Sequence, residues 1–215
     1  MSIKLITIQG NIGSGKSTIV KKLKDKYGGE KNICFLQEPV DIWNNIKDKK
    51  GNTILSLYYE NQKEYAFSFQ MMAYISRLSI LKKALDDGYE YIVSERSLET
   101  DKYVFAKMLY DEKKIKHIEY QIYLKWFDEF KTMIKGENIV YVKTDPAIAY
   151  KRVNKRAREG ENIPIEYLEN CDKYHDEWIN NLDTPKIIIN GNNDIQENPE
   201  ILDIWASNIY EFIYQ

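Results

Sequence analysis

The stretch Gly10-Asn11-Ile12-Gly13-Ser14-Gly15-Lys16-Ser17-Thr18 decides the fold. It fits the pattern G-x-x-x-x-G-K-[ST], follows the apolar run Ile3–Ile8 directly, and leads into the amphipathic stretch Thr18–Lys26. A strand, a glycine-rich turn and a helix in this order form a loop whose backbone N–H groups cradle phosphate, with help from the positive end of the helix. Lys16 then reaches the outer phosphates and Ser17 helps to hold magnesium, so the sequence predicts a nucleoside triphosphate ligand.

Length and composition favour one α/β domain over residues 1–215. A formal net charge of -2, from 31 basic and 33 acidic residues, predicts neither a nucleic-acid polymer nor a membrane surface as partner. Cys34 and Cys171 match no zinc or redox spacing, which predicts reduced thiols. No stretch approaches the ~20 apolar residues of a membrane span, and a strand that begins by Ile3 leaves no room for a leader peptide. We therefore expect a cytoplasmic protein.

Short apolar runs alternate with longer helical patterns along the chain. The predicted strands are Ile3–Ile8, Ile33–Leu36, Tyr91–Val93, Ile139–Val142 and Lys186–Ile189. Beyond Thr18–Lys26, the predicted helices are Tyr58–Leu85, Leu98–Tyr110, Ile118–Lys135, Ala147–Arg156, Ile165–Asn181 and Glu200–Phe212. This alternation is typical of a five-stranded parallel sheet flanked by helices, in which ligands bind beyond the carboxyl ends of the strands. The polar groups Gln9–Lys16, Glu38 and Glu95–Arg96 all fall at that edge.

Two short motifs follow the second and third predicted strands. In Glu38-Pro39-Val40 the proline ends the strand and fixes Glu38 at the rim, where it could act as a base, although such a pair is also common in solvated turns. In Glu95-Arg96-Ser97 the acid could serve magnesium and the arginine a phosphoryl group, with a structural ion pair as the alternative.

A cluster of arginines predicts a lid over about residues 152–163. Arg152, Arg156 and Arg158 form R-x-x-x-R-x-R and precede the polar stretch Glu159-Gly160-Glu161-Asn162. Arg152 and Arg156 share a helix face, and guanidinium groups suit bidentate contacts to phosphate. The alternative is a solvated basic helix paired with neighbouring glutamates.

Taken together, these motifs resemble those of the deoxynucleoside kinases of the deoxycytidine/deoxyguanosine kinase type. The resemblance covers nearly the whole chain in order. It rests on the phosphate loop, Glu38-Pro39-Val40 with Trp43, Phe67-Ser68-Phe69-Gln70, Glu95-Arg96-Ser97 with Asp101, the arginine cluster, and Ile163-Pro164-Ile165-Glu166-Tyr167-Leu168.

The resemblance implies transfer of the γ-phosphoryl group of ATP to the 5′-hydroxyl of a deoxynucleoside, in nucleotide salvage. It makes Glu38 the base, and it gives Arg96 the task of orienting the hydroxyl. The groups that hold the migrating phosphoryl and its leaving group are Lys16, Arg152, Arg156 and Arg158. Mg²⁺ is expected near Ser17 and Glu95, and the donor's base near Asn192 and Asp194, in the loop Asn190–Asp194 after the last strand.

For the nucleoside, the resemblance makes Gln70 the reader of the base edge, with Phe69 and Phe105 on either side of the ring and Trp43 as a wall. Tyr59 and Glu161 are expected at the sugar 3′-hydroxyl, with Glu159 as the alternative to Glu161. An arginine and an aspartate at the positions of Arg77 and Asp101 are typical of relatives that take deoxycytidine or purine deoxynucleosides, and thymidine is disfavoured. For most of the aromatic residues, core packing is the alternative.

Three other functions share part of this pattern. A nucleoside monophosphate kinase such as thymidylate kinase has the same loop, but its phosphorylated acceptor favours basic residues where this chain has Glu38. A GTP-dependent switch needs an Asn-Lys-x-Asp element, which is lacking, and an idle nucleotide-binding scaffold needs neither base nor lid. The resemblance also implies a homodimer, whose contact face could come from Tyr58–Leu85 and Gln121–Lys135.

Overall fold

A computed structural model describes residues 3–131, 136–158 and 160–215. Five strands form one parallel sheet with the order β2-β3-β1-β4-β5, which confirms the predicted class. They are β1 Lys4–Gln9, β2 Ile33–Leu36, β3 Tyr91–Glu95, β4 Asn138–Lys143 and β5 Lys186–Asn190. β1 is central, with β3 on one side and β4 on the other. Strands that follow β1 in the chain thus lie on opposite sides of it, so the strand order reverses at β1. The carboxyl end of β1 is therefore a topological switch point, where parallel sheets bind ligands.

Helices cover both faces of the sheet. In chain order they are α1 Lys16–Tyr27, α2 Val40–Asn45, α3 Ile54–Glu60, α4 Gln62–Asp86, α5 Leu98–Thr100, α6 Lys107–Asp111, α7 His117–Phe130, α8 Pro146–Arg156, α9 Ile165–Asn180 and α10 Pro199–Ile213. One core cluster joins α1 and α10 to β1 and β4, with Ile19, Leu23 and Ile209 fully buried. Two further clusters lie between the sheet and α4, α7 and α9. No helix among the described residues has the length and apolarity needed to cross a bilayer.

The prediction of one helix over Tyr58–Leu85 was wrong. The chain breaks at Asn61, whose φ of -142° and ψ of 80° are not helical. The backbone N–H of Asn61 donates to the carbonyl of Leu57 and ends α3, while its own carbonyl accepts from Glu64 and begins α4. After this break α3 still packs against α4, with Tyr58 stacked on Phe69, and two tyrosines of α3, Tyr58 and Tyr59, lie at the edge of the sheet.

The other helices differ from their predictions mainly at the ends. The predicted helix Leu98–Tyr110 contains a π-helical segment, Asp101–Ala106, between α5 and α6. The predicted helix Ile118–Lys135 ends at Phe130, and its residues 132–135 lie outside the described residues. The short helix α2 was missed, because six residues after Pro39 are too few for a periodic pattern. Cys34 and Cys171 are free thiols, as predicted.

Candidate active site

The phosphate loop lies between β4 and α8, so close to both that two of its glycines have no room for a side chain. At Gly10, with φ of 141°, an added Cβ would lie 2.6 Å from the carbonyl oxygen of Val142. At Gly13, with φ of 81°, it would lie 2.6 Å from the carbonyl oxygen of Ala149. Glycine is needed at both positions for its positive φ and for this close approach.

Lys16 is buried in this loop, and its Nζ donates to the carbonyl of Asn11 at 2.7 Å. Burial, together with the charge of Arg96, lowers the pKa of Lys16 to about 7. The side chain of Asn11 points away from the cleft and donates to the carbonyl of Leu168 in α9 at 2.8 Å. Asn11 therefore fixes the loop to α9 and presents its backbone, not its amide, to the lysine.

Ser17, at the start of α1, meets Glu95, at the carboxyl end of β3. The Ser17 hydroxyl donates to Oε1 of Glu95 at 2.6 Å. Hydroxyl and carboxylate oxygens are ligands that Mg²⁺ accepts next to phosphate. The two residues predicted to lie near the metal are thus neighbours.

A cleft of about 680 Å³ opens over this edge of the sheet, which is large enough for small-molecule ligands. Nearly all the residues predicted for the site line it: Ile12, Gly13, Ser14, Gly15, Lys16, Ser17, Thr18, Glu38, Trp43, Tyr59, Phe69, Gln70, Arg77, Glu95, Arg96, Asp101, Phe105, Arg152, Arg156, Arg158, Glu161 and Asp194. Gly10, Asn11 and Asn192 do not line it.

Glu38 is held by two guanidinium groups. Its Oε1 accepts from Nη1 of Arg96 at 2.6 Å and from Nη2 of Arg77 at 3.0 Å. Burial by itself would raise the pKa of Glu38, but Arg96, Arg77 and Lys16 outweigh burial and lower the pKa to about 2. Glu38 is therefore an ionised acceptor at neutral pH.

Arg77 connects Glu38 to Asp101. Its Nε donates to Oδ2 of Asp101 at 2.9 Å, and its Nη1 donates to the carbonyl of Glu95 at 2.7 Å. Arg77 and Asp101 are each only 2 % exposed. The predicted pair is therefore present, and the same guanidinium also reaches Glu38, a contact that the sequence did not predict.

Aromatic rings surround the inner part of the cleft. Phe69 stacks on Tyr58, with ring centroids 4.5 Å apart, and meets Trp43 edge-on at 5.4 Å. The guanidinium of Arg96 lies 5.0 Å from the centre of the Phe105 ring. Gln70 lines the same cleft and is buried, and its Oε1 has no hydrogen-bond partner among the described residues. A buried amide oxygen of this kind is typically satisfied by a ligand or water.

The glutamate and tyrosine predicted at the sugar both line the cleft. Glu161 accepts from Nη1 of Arg158 at 2.9 Å and from Nη2 of Arg156. Burial, with the nearby Tyr58 and Glu161, raises the pKa of Tyr59 well above its usual value, so its hydroxyl stays protonated. Glu159, the alternative to Glu161, lies outside the described residues.

Arg152 has different partners from Arg156 and Arg158, because it contacts the loop after β5. Its guanidinium donates to the carbonyls of Gly191 at 2.7 Å and Asn193 at 3.0 Å. Asn192 in the same loop accepts, through Oδ1, from the backbone N–H of Asp145 at the start of α8 at 2.8 Å. Arg152 and Asn192 thus tie this loop to α8, and Asp194 is left facing the cleft.

Several cleft residues were missed from the sequence. On the inner side they are Val40, Leu55, Tyr58, Ala73 and Tyr167; on the outer side they are Gln37, Lys155, Ile195, Gln196 and Trp205. The hydroxyls of Tyr58 and Tyr167 share a hydrogen bond of 2.7 Å, so these rings brace each other. The sequence offered no spacing signal for Tyr58, because it adjoins the predicted Tyr59 and successive residues of a helix point about 100° apart.

A phosphate loop and an ionised carboxylate that face one cleft fit a phosphotransferase of P-loop kinase fold. The chain belongs to the deoxynucleoside kinase family, whose model matches residues 6–213. A probable deoxycytidine kinase of fowlpox virus is 36% identical over 98% of this chain and 88% of its own length. Human deoxycytidine kinase is 32% identical over 82% of this chain and 75% of its own length. A mitochondrial deoxyguanosine kinase of Xenopus laevis is 26% identical, over 99% and 91%. The protein is thus an ATP-dependent deoxynucleoside kinase.

Proposed function

We propose that this kinase transfers the γ-phosphoryl group of ATP to the 5′-hydroxyl of a deoxynucleoside, with Glu38 as the base that accepts the hydroxyl proton. The observation that carries the proposal is the position of Glu38, an ionised carboxylate in the same cleft as the phosphate loop. A carboxylate suits an uncharged hydroxyl acceptor, whereas it would repel the phosphate of a nucleoside monophosphate. The presence of Glu38 beside the expected acceptor therefore favours a deoxynucleoside kinase over a thymidylate kinase.

The cationic side chains then neutralise the charge of the transferring group. Lys16, Arg156 and Arg158 line the cleft beside the phosphate loop, and the charge of a triphosphate favours the protonated form of Lys16. Arg96 orients the hydroxyl through Glu38. Arg152, which also lines the cleft, acts on the phosphoryl group only if it leaves its contacts with the loop after β5. Catalysis by these groups is positioning and charge stabilisation.

The metal that we assign to this site is Mg²⁺, held by Ser17 and Glu95 together with oxygens of the triphosphate. The adjacency of their oxygens, at 2.6 Å, fits a small, hard cation. When bound, Mg²⁺ supplies positive charge to the phosphates of ATP.

For the acceptor we propose deoxycytidine or a purine deoxynucleoside over thymidine. Gln70 offers a buried amide to the edge of the base, and the Arg77 and Asp101 pair stands beside it in the same cleft. Relatives named as deoxycytidine and deoxyguanosine kinases point the same way. Tyr59, as a hydroxyl donor, and Glu161, as an acceptor, complete the site at the 3′-hydroxyl.

The test is turnover by the purified protein with ATP and Mg²⁺. Deoxycytidine, deoxyadenosine, deoxyguanosine, thymidine and their monophosphates are compared as acceptors, in wild type and in Glu38→Ala. We expect turnover of an unphosphorylated deoxynucleoside, and a loss of about 10²–10⁴-fold in kcat for Glu38→Ala. Glu64→Ala, an exposed glutamate on α4, is the matched control and should keep wild-type turnover. Activity confined to a monophosphate would overturn the proposal.

We further propose that two copies of the chain pair through α7 and α4. Ile118, Ile122 and Trp126 form a stripe with four-residue spacing on α7 and are 66%, 43% and 44% exposed. Ile75 of α4 is 42% exposed, and α4 contacts α7 through the hydroxyl of Tyr74, which donates to the carbonyl of Trp126. An apolar patch of this kind is typical of a contact between proteins. Sedimentation of wild type as a dimer and of Ile122→Glu as a monomer supports the pairing; a monomeric wild type contradicts it.

The proposed setting is nucleotide salvage in the cytoplasm, with small-molecule substrates and neither a nucleic-acid polymer nor a membrane as partner. The net charge of -2 supports the absence of polyanion binding. Fractionation of cells that express the tagged chain tests the location, and recovery of the chain with an organelle would contradict it.

A further inference from the structure

A buried hydrogen-bond network lies behind the cleft, where β1 and β3 end. Nε2 of Gln9 donates to the hydroxyl oxygens of Thr7 at 3.0 Å and Ser97 at 3.1 Å. The Thr100 hydroxyl donates to Oε1 of Gln9 at 2.6 Å, and the backbone N–H of Ser97 donates to the same Thr100 oxygen at 3.2 Å. All four residues are buried, and none of them lines the cleft. The network therefore joins β1 to the turn after β3 from below the site.

Glu137 is the ionisable member of this network. It directly precedes β4, and its Oε1 accepts from the Ser97 hydroxyl at 3.2 Å. Its Oε2 is buried and has no hydrogen-bond partner within residues 3–131, 136–158 and 160–215. Burial raises the pKa of Glu137 to about 7, and the hydroxyls of Thr7 and Ser97 only reduce this shift. A buried carboxyl group with one unpaired oxygen costs stability, so packing alone does not account for a glutamate at this position.

The residue next to Ser97 is the strained Arg96. Its φ of 62° is in the left-handed region, which is unfavourable for a residue with a long side chain. Its backbone N–H donates to the carbonyl of Ile8 at 3.0 Å, and Ser97, the next residue, is fixed by the network. In this conformation the guanidinium reaches Glu38 at 2.6 Å. The strained backbone persists because groups on both sides of it are held.

We propose that Glu137 and Gln9 are positioning residues for phosphoryl transfer. By holding Ser97 they keep Arg96 in its left-handed conformation and its guanidinium on Glu38. Because Gln9 directly precedes Gly10, the same network also sets the distance between the phosphate loop and the acceptor carboxylate. Neither residue lines the cleft, so both act through their neighbours. This inference rests on the proposed function.

The test compares Glu137→Leu, which removes the acceptor of the Ser97 hydroxyl, with Glu137→Gln, which keeps an acceptor oxygen of the same reach. We expect Glu137→Leu to lower kcat about tenfold or more, while KM for the deoxynucleoside stays within about twofold, because the reacting groups are misplaced but the pocket is intact. Glu137→Gln should stay within about threefold of wild type in kcat. Glu177→Leu is the matched control and should keep wild-type kcat, because Glu177 is an exposed glutamate that lines a second cavity together with Glu137.

Ser97→Ala provides an independent measurement if Glu137→Leu does not fold. It should lower kcat to a similar extent, Ser97→Thr should restore most of it, and Ser97→Ala with Glu137→Gln should be no slower than Ser97→Ala alone. Wild-type kcat in both Ser97→Ala and Glu137→Leu, or a rise in KM with unchanged kcat, overturns the inference and leaves the proposed function standing. Absence of turnover in the wild type refutes the proposed function, and the inference falls with it.

Discussion

Removal of Asp101 should destabilise the protein strongly, because it leaves a buried guanidinium without its nearest carboxylate. Arg77 and Asp101 are each 2 % exposed, and their Nε and Oδ2 atoms are 2.9 Å apart. Loss of one partner of a buried ion pair costs about 3–5 kcal/mol. Glu38 and the carbonyl of Glu95 still accept from Arg77 in Asp101→Ala, so we expect the lower limit, about 3 kcal/mol.

The double variant Arg77→Met with Asp101→Ala removes both charges and leaves Glu38 paired with Arg96. Apolar replacement of a whole buried pair is often nearly neutral, so we expect the double variant to lose less stability than Asp101→Ala, by about 1.5 kcal/mol or more. In a chain of this length 1 kcal/mol corresponds to about 2–4 °C in Tm, so Asp101→Ala should lower Tm by about 6–12 °C.

Urea unfolding of wild type, Asp101→Ala and the double variant measures these differences, and turnover of thymidine is measured on the same samples. The double variant should gain thymidine turnover, because the charges beside the base are gone. The reasoning about the buried pair is refuted if Asp101→Ala costs less than about 1 kcal/mol, or if the double variant is as unstable as the single one. No gain in thymidine turnover would count against the predicted base preference.

Three further predictions concern single residues. Gly13→Ala should abolish turnover, because its Cβ would lie 2.6 Å from the carbonyl oxygen of Ala149, whereas Gly29→Ala, which has open space, should keep wild-type kcat. Burial raises the pKa of Glu137 from its ordinary 4.5 to about 7, so the folded state binds the proton more tightly; urea unfolding should show wild-type stability falling from pH 4.5 to 7 relative to Glu137→Gln. Burial lowers the pKa of His175 from 6.5 to about 3, so the neutral imidazole contributes stability that is lost as the pH falls from 6.5 to 3. The free energy of unfolding of His175→Phe should therefore fall less with acid than that of the wild type, and an equal fall would contradict the low pKa.

The sequence predicted the sheet well because the signals for β1 and α1 are local. An apolar run, a glycine-rich turn and an amphipathic stretch each occupy neighbouring residues, so no distant contact is needed to recognise them. The break at Asn61 was missed because α3 and α4 are both partly apolar and follow each other without proline or glycine. Only the dihedral angles of Asn61, set by the packing of both helices, separate them.

The site was predictable where its residues follow strand ends. Glu38, Glu95 and Arg96 are brought together by strand order alone, because parallel strands end at one edge. The bond from Arg77 to Glu38 depends on how α4 approaches that edge, and the contacts of Arg152 depend on how α8 meets the loop after β5. These approaches are tertiary, so residue spacing along one helix does not reveal them.

The low pKa of Glu38 limits how the proposed base can act. A carboxylate whose pKa is near 2 does not remove the proton of an alcohol before the phosphoryl group arrives. It can accept a hydrogen bond from the 5′-hydroxyl and so orient the oxygen, and it can take the proton once bonding to phosphorus has made the hydroxyl acidic. A loose transition state, in which the attacking oxygen carries little charge until late, demands no more than this. Arg77 and Arg96 therefore make Glu38 less basic but hold its carboxylate in a fixed position, and positioning contributes more than basicity to phosphoryl transfer.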